Sequence, residues 1–70
     1  MSAGADTTAT LVRMANQIAQ GLAREADPAA AAAEHIRLYW EPRMIKALLA
    51  TGGAGLSPIA QEAYGRLAGA

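Results

Sequence analysis

Residues 27–42 read DPAAAAAEHIRLYWEP, and this stretch decides what fold the chain can adopt. Asp27 followed by Pro28 is a helix start: a carboxylate at the N-cap accepts from free backbone amides, and proline is tolerated at the first helical position. The run Ala29 to Ala33 looks like low complexity, yet alanine is the best helix former. It also lets a neighbouring helix approach closely. In a helix of this register Ala29, Ala32, Ala33, Ile36, Tyr39 and Trp40 share one face, and Leu38 projects almost opposite. Apolar residues on two faces call for two neighbours. Pro42 then stops the helix, because its ring clashes with the carbonyl of Leu38 and disfavours helical geometry at Glu41. The chain must turn a corner there.

Working outward, Leu11, Met14, Ala15, Ile18 and Leu22 recur at helical spacing and fall within about 100° of arc, with Arg13, Gln17, Gln20 and Arg24 on the far side. Asp6, Thr7 or Thr8 can cap this helix, which leaves residues 1–7 as a flexible N-terminus. The short gap to Asp27 predicts an antiparallel hairpin. After the corner, Met44, Ile45, Leu48 and Leu49 predict a third helix from Pro42 to about residue 50. Thr51-Gly52-Gly53-Ala54-Gly55 reads as a stop and a flexible connection. Ser57-Pro58 repeats the cap-then-proline signal. A last helix then places Ile59, Ala63 and Leu67 inward and pairs Glu62 with Arg66 at i,i+4. The expected fold is all-α, a small bundle of three to four short helices with a single domain over 8–68.

Composition narrows the function. The chain has 70 residues, zero formal charge and no Cys. Without Cys there is no disulfide staple, thiolate nucleophile or thiolate metal site. Zero net charge gives no electrostatic case for nucleic acid or anionic lipid. There is no signal-peptide pattern and no apolar run of about 18 residues to span a membrane, so a cytoplasmic protein is expected. Of the 53% of residues that are hydrophobic, 19 are Ala and none is Phe. A core so poor in large side chains is marginal at this length, and a protein partner is the staple that composition leaves open.

No catalytic set emerges. His35 is the one acid–base candidate near neutral pH, but one His with scattered carboxylates is a poor metal set. Ser57 reads as a helix cap and Ser2 lies in the tail, so neither pairs with a base. The Gly52–Gly55 run lacks the Lys-Ser/Thr ending of a phosphate loop and no strand precedes it. Arg37, Arg43 and Lys46 beside Tyr39 and Trp40 suggest nucleic acid, yet Glu34 and Glu41 interleave with them. Trp40 has two readings. It fills a core that lacks Phe, or it serves with Tyr39 and the arginines as an interface anchor, since Trp, Tyr and Arg are enriched in hot spots.

Three blocks carry a family resemblance: LVRMANQIA (11–19), HIRLYWEPRM (35–44) and GGAGLSPIAQEA (52–63). They resemble the delta subunit of NAD-dependent formate dehydrogenase, the soluble molybdenum- or tungsten-containing bacterial complex. The second block is similar to that family's HIR-x-aromatic-W-acidic-PRM signature. Leu38 and Ile45 stand where the family pattern is often basic, so this chain's surface is more apolar there. The resemblance implies a non-catalytic accessory subunit that stabilises or helps mature the complex by protein–protein contact. The larger subunits, above all the catalytic alpha subunit, would be its partners. They would hold the molybdenum or tungsten pterin centre, the iron–sulfur clusters and FMN, and this chain would hold no cofactor. The docking element would be His35, Arg37, Leu38, Tyr39, Trp40, Glu41, Pro42, Arg43 and Met44. Arg37 and Arg43 would offer forked donors, and Pro42 would fix the corner so that docking loses little entropy. The alternative is a small helical regulatory or nucleic-acid-binding module, which requires a basic recognition face or a dimer.

An alanine-rich core predicts that the isolated chain is helical but weakly cooperative. Its circular dichroism should melt broadly, and a sharp high-temperature melt of the monomer would contradict partner-dependent folding.

Overall fold

The computed structural model describes residues 3–69, with side chains from residue 8 to residue 69. Helices α1 (Ala3–Gly21), α2 (Pro28–Tyr39), α3 (Pro42–Leu49) and α4 (Pro58–Gly69) follow one another, and no strand occurs among the described residues. The fold is all-α, as expected. Helical backbone begins at Ala3, so Asp6, Thr7 and Thr8 lie inside α1 and do not cap its start. Met1 and Ser2 lie outside the described residues.

The predicted starts of α2 and α4 hold at the atomic level. Asp27 Oδ1 accepts from the Ala30 amide at 3.2 Å, and Ser57 Oγ accepts from the Ala60 amide at 3.4 Å. Each satisfies one of the amides that a helix N-terminus leaves without an intrahelical partner. At the other end of α2 the Trp40 amide still bonds the Ile36 carbonyl at 2.9 Å, but the backbone of Trp40 and Glu41 is extended. The proline at position 42 imposes that geometry on the residue before it. The Glu41 carbonyl then accepts from the Met44 and Ile45 amides and opens α3.

Two apolar clusters hold the bundle. In one, Leu11, Ala15, Ile36, Trp40 and Leu48 are buried where α1, α2 and α3 meet. In the other, Ala32 and Ala33 of α2 close on Ala63 of α4, with Ile18, Leu22 and Leu67 around them. The principal neighbour of the alanine face is therefore α4, not the hairpin partner α1. A methyl-only surface admits whichever helix is also small-faced, and α4 presents Ala60 and Ala63, both buried. The remaining inward residues of α4 are only half-buried: Leu67 packs against both clusters, while Ile59 sits at the surface edge.

Arg66 departs from its expected i,i+4 partner Glu62. Its Nη2 donates to the Asp27 carboxylate at 3.3 Å, and the Arg66 carbonyl accepts from Arg37 Nη2 at 3.2 Å. That carbonyl belongs to the last four of α4, which have no intrahelical donor. A cation from α2 fills the need and complements the helix dipole. Interhelix chemistry thus outcompetes a local pair worth only about 0.3–0.5 kcal/mol.

The glycine-rich connection is built, not slack. Gly52, Gly53 and Gly55 have φ of 72°, 88° and 82°, a region that costs L-residues but not glycine. Asn16 of α1 grips the far side of this loop: its Nδ2 donates to the Gly55 carbonyl at 3.0 Å and its Oδ1 accepts from the Ser57 amide at 2.8 Å. Gln61 Nε2 donates to the Gly53 carbonyl at 2.8 Å, and a Cβ at Gly53 would stand 2.9 Å from Gln61 Oε1. Thr51 Oγ1 donates to Leu48 and accepts from Gly53, closing the end of α3. Tyr64 adds a 2.7 Å bond from its hydroxyl to the Leu49 carbonyl.

Asn16→Ala removes both bonds to the loop, each worth about 0.5–1.5 kcal/mol net, and regains roughly half a kcal/mol of helix propensity. Amide hydrogen exchange should accelerate from residue 53 to residue 57, while α2 stays as protected as before. Unchanged exchange in the loop would show that Asn16 does not hold it.

Candidate functional site

The stretch from His35 to Met44 is divided by the helix register and the corner into an inner and an outer set. Ile36 and Trp40 point inward, at 2% and 7% exposure, and Met44 is half-buried against them. The core reading of Trp40 is the one the structure supports. Its indole is enclosed by the isolated chain, so Trp40 drops out of the surface that the chain can offer a partner. The reason is the corner itself. The extended backbone at Trp40 stops the helix where its side chain lies over Leu11 and Leu48, and no Phe competes for the space.

Outside stand Leu38 and Tyr39, at 68% and 72% exposure. They are the large apolar side chains left exposed among the described residues. Helical periodicity placed Tyr39 on the buried face. It misses because α2 ends at Tyr39, and no further turn or neighbouring helix covers that flank. Its ring instead meets His35 one turn earlier, with centroids 4.7 Å apart and planes inclined by 44°. This tilted contact joins two rings at i,i+4 and orients Tyr39 on a rigid helical base.

The charged members separate as well. Arg37 is committed to the C-terminal end of α4 through Arg66 and so is a structural cap more than a free donor. Arg43 lies beside Glu41 at 3.3 Å, with the two side chains 88% and 67% exposed. Such a pair is screened by solvent and readily exchanged for another partner. Pro42 is exposed between them, and Lys46 is exposed one turn further along α3. The corner thus presents a short apolar ridge, Leu38 and Tyr39 on the last turn of α2, with His35 against Tyr39 and the cations of α3 exposed beyond Pro42.

Among the described residues no other feature offers chemistry. An open groove of ≈ 440 Å³ runs between α1 and the start of α4, lined by Ala19, Ala23, Pro58 and Ile59 with Asn16, Gln20 and Ser57. It has no charged wall, and Asn16 is already occupied with the loop. Among the described residues no group of three His, Cys, Asp or Glu side chains is placed to hold a metal ion. None of the described helices is long and apolar enough to cross a membrane. Sequence reasoning found the corner residues but passed over Asn16 and Gln61. The signal was present in Asn16, a poor helix former in the middle of an otherwise strong helix, which often marks a side chain with work elsewhere.

Comparison with known families matches residues 10–64 to the NADH-dependant formate dehydrogenase delta subunit FdsD. The match covers most of the chain, and the chain belongs to that family. No curated protein and no solved structure matches it. The matched span takes in the buried members of both apolar clusters, the glycine loop and the whole corner, and stops short of Leu67 and the last turn of α4.

Replacing Trp40 by Ala should cost roughly 3–5 kcal/mol of folding stability, a large fraction of what a domain this small commands. The variant should lose most of its helical circular dichroism at room temperature, whereas Tyr39→Ala should retain it. If Trp40→Ala stays as helical and as stable as the parent, the indole is not a core element.

Proposed function

We propose that this chain is a non-catalytic accessory subunit of an NAD-dependent formate dehydrogenase, a complex that oxidises formate to carbon dioxide and passes the electrons to NAD. It stabilises or helps mature the complex through protein contact made at the corner of residues 35–44. Its partners are the larger subunits, and the catalytic alpha subunit is the one this reading names. The complex works in the cytoplasm.

The family match supports the assignment to a delta subunit. The observation that carries the contact mechanism is the pairing of Leu38 and Tyr39 on the outside of a chain so short of large apolar residues. An independent mini-domain gains by burying such side chains, at roughly 1.5–3 kcal/mol each. Placing them outward on a rigid helix suits a chain that completes its burial against another protein.

The molybdenum or tungsten pterin centre, iron–sulfur clusters and FMN belong, in this reading, to the larger subunits. The donor set here does not fit the iron–sulfur clusters. Iron–sulfur clusters require thiolates, and the chain has no Cys. No redox or hydride step is therefore assigned to these residues. Their part is to bind and to hold shape.

Co-expression of the larger subunits with and without this chain tests the proposal. Without it, the yield of assembled complex or its metal content should fall, while complex that does assemble with full metal content should turn over formate normally. Assembly in normal yield with normal metal content in its absence would overturn the accessory role.

A further inference from the structure

We infer that the docking surface is the ridge of Leu38 and Tyr39 and not the corner as a whole, and that it receives an apolar segment of a larger subunit bearing a carboxylate that faces Arg43 and Lys46. This inference rests on the accessory-subunit reading above and gives it a surface and a partner chemistry.

Three observations carry it. First, exposure is confined: the large apolar side chains left exposed among the described residues are two sequence neighbours on one helix end, not a scatter over the surface. Exposed apolar residues scattered singly need no explanation, but two large ones on a single helical turn concentrate apolar surface at one place, as an interaction site does. Second, the patch is pre-organised. Leu38 and Tyr39 stand on the last turn of α2, Tyr39 is held by the His35 ring, and Trp40 anchors the backbone beneath them. Tyr39, oriented by that ring contact, and the helical backbone under both residues lose little entropy on docking.

Third, the charge beside the ridge is unbalanced. Around the ridge stand two acids, Glu34 one turn before Leu38 and Glu41 at the corner, against three cations, Arg37, Arg43 and Lys46, all exposed. Arg43 and Lys46 lie at i,i+3 on the exposed side of α3, and Glu41 engages only Arg43. Arg37 donates to the Arg66 carbonyl, a neutral acceptor that leaves its charge in place. One positive charge is left uncompensated beside an apolar ridge, and its complement is a carboxylate at the rim of an apolar contact.

The test uses the tagged chain co-expressed with the larger subunits, with the ratio of those subunits to tagged chain measured after purification. Leu38→Gln and Tyr39→Gln keep good helix formers at exposed positions, and circular dichroism of each free variant checks that folding is intact. Truncated hot spots cost tenfold or more in affinity, so each variant should recover the larger subunits at least tenfold less well. Arg43→Glu should weaken capture at low salt, and its deficit relative to the parent chain should shrink as salt is raised. Ala23→Glu, which places a charge in the groove between α1 and α4, should bind as the parent does.

Parental capture by both Leu38→Gln and Tyr39→Gln would overturn the ridge, as would loss of capture in Ala23→Glu alone. A dimer of the free chain in sedimentation that Leu38→Gln dissolves would make a second copy the occupant. If Arg43→Glu leaves capture unchanged at every salt concentration, the carboxylate is wrong. The accessory role itself fails on a different result, namely normal assembly when the chain is omitted altogether.

Discussion

Everything in this small bundle depends on two alanine faces meeting. Ala29, Ala32 and Ala33 of α2 and Ala60 and Ala63 of α4 are all buried, and methyl groups let the two helix backbones come close. Alanine loses no side-chain entropy on burial, so this contact stabilises the bundle without drawing on the few large residues. It also sets the angle at which α4 crosses α2. That crossing brings Arg66 to Asp27 and Arg37 to the Arg66 carbonyl. The C-terminal end of α4 is thereby satisfied from α2, while Arg66 pairs with the carboxylate that caps the start of α2.

With the α2–α4 interface made of methyls, the large side chains are available elsewhere. Most gather around Trp40 beneath the corner. Pro42 ends α2 at Tyr39, with Trp40 turned inward just past the helix, so Leu38 and Tyr39 lie exposed on the last turn. One backbone constraint thus serves two ends. It drives the indole into the core, and it leaves its two neighbours outside. The interface reading of the whole stretch and the core reading of Trp40 are therefore compatible. The tryptophan shapes the surface from within.

The fold was largely legible in the chain. Asp27-Pro28 and Ser57-Pro58 mark helix starts by chemistry that is strictly local, and Pro42 acts on its immediate neighbours. The apolar stripe of α1 falls on the expected side, with Leu11 and Ala15 buried, Met14, Ile18 and Leu22 half-buried, and Arg13, Gln17 and Gln20 exposed; Ala19, also buried, was not read as part of it. What periodicity could not supply was the identity of neighbours. It placed Tyr39 inside because it does not know that the helix ends there. It paired Arg66 with Glu62 because it does not know that Asp27 lies across the interface. It read the glycine run as slack because the groups that pin it, Asn16 and Gln61, sit on helices distant in sequence or outside the loop. Of the candidate site, the segment was legible and the division of its side chains was not. That division depends on where three helices converge.

Covalent footprinting by hydroxyl radicals, read residue by residue by mass spectrometry on the free chain and on the assembled complex, tests this account most directly. Tyr39 and Leu38 should be labelled strongly in the free chain and protected in the complex, with Trp40 labelled weakly in both. Equal labelling of Tyr39 and Leu38 in the two states, or a Trp40 that is reactive in the free chain and protected only in the complex, would contradict it.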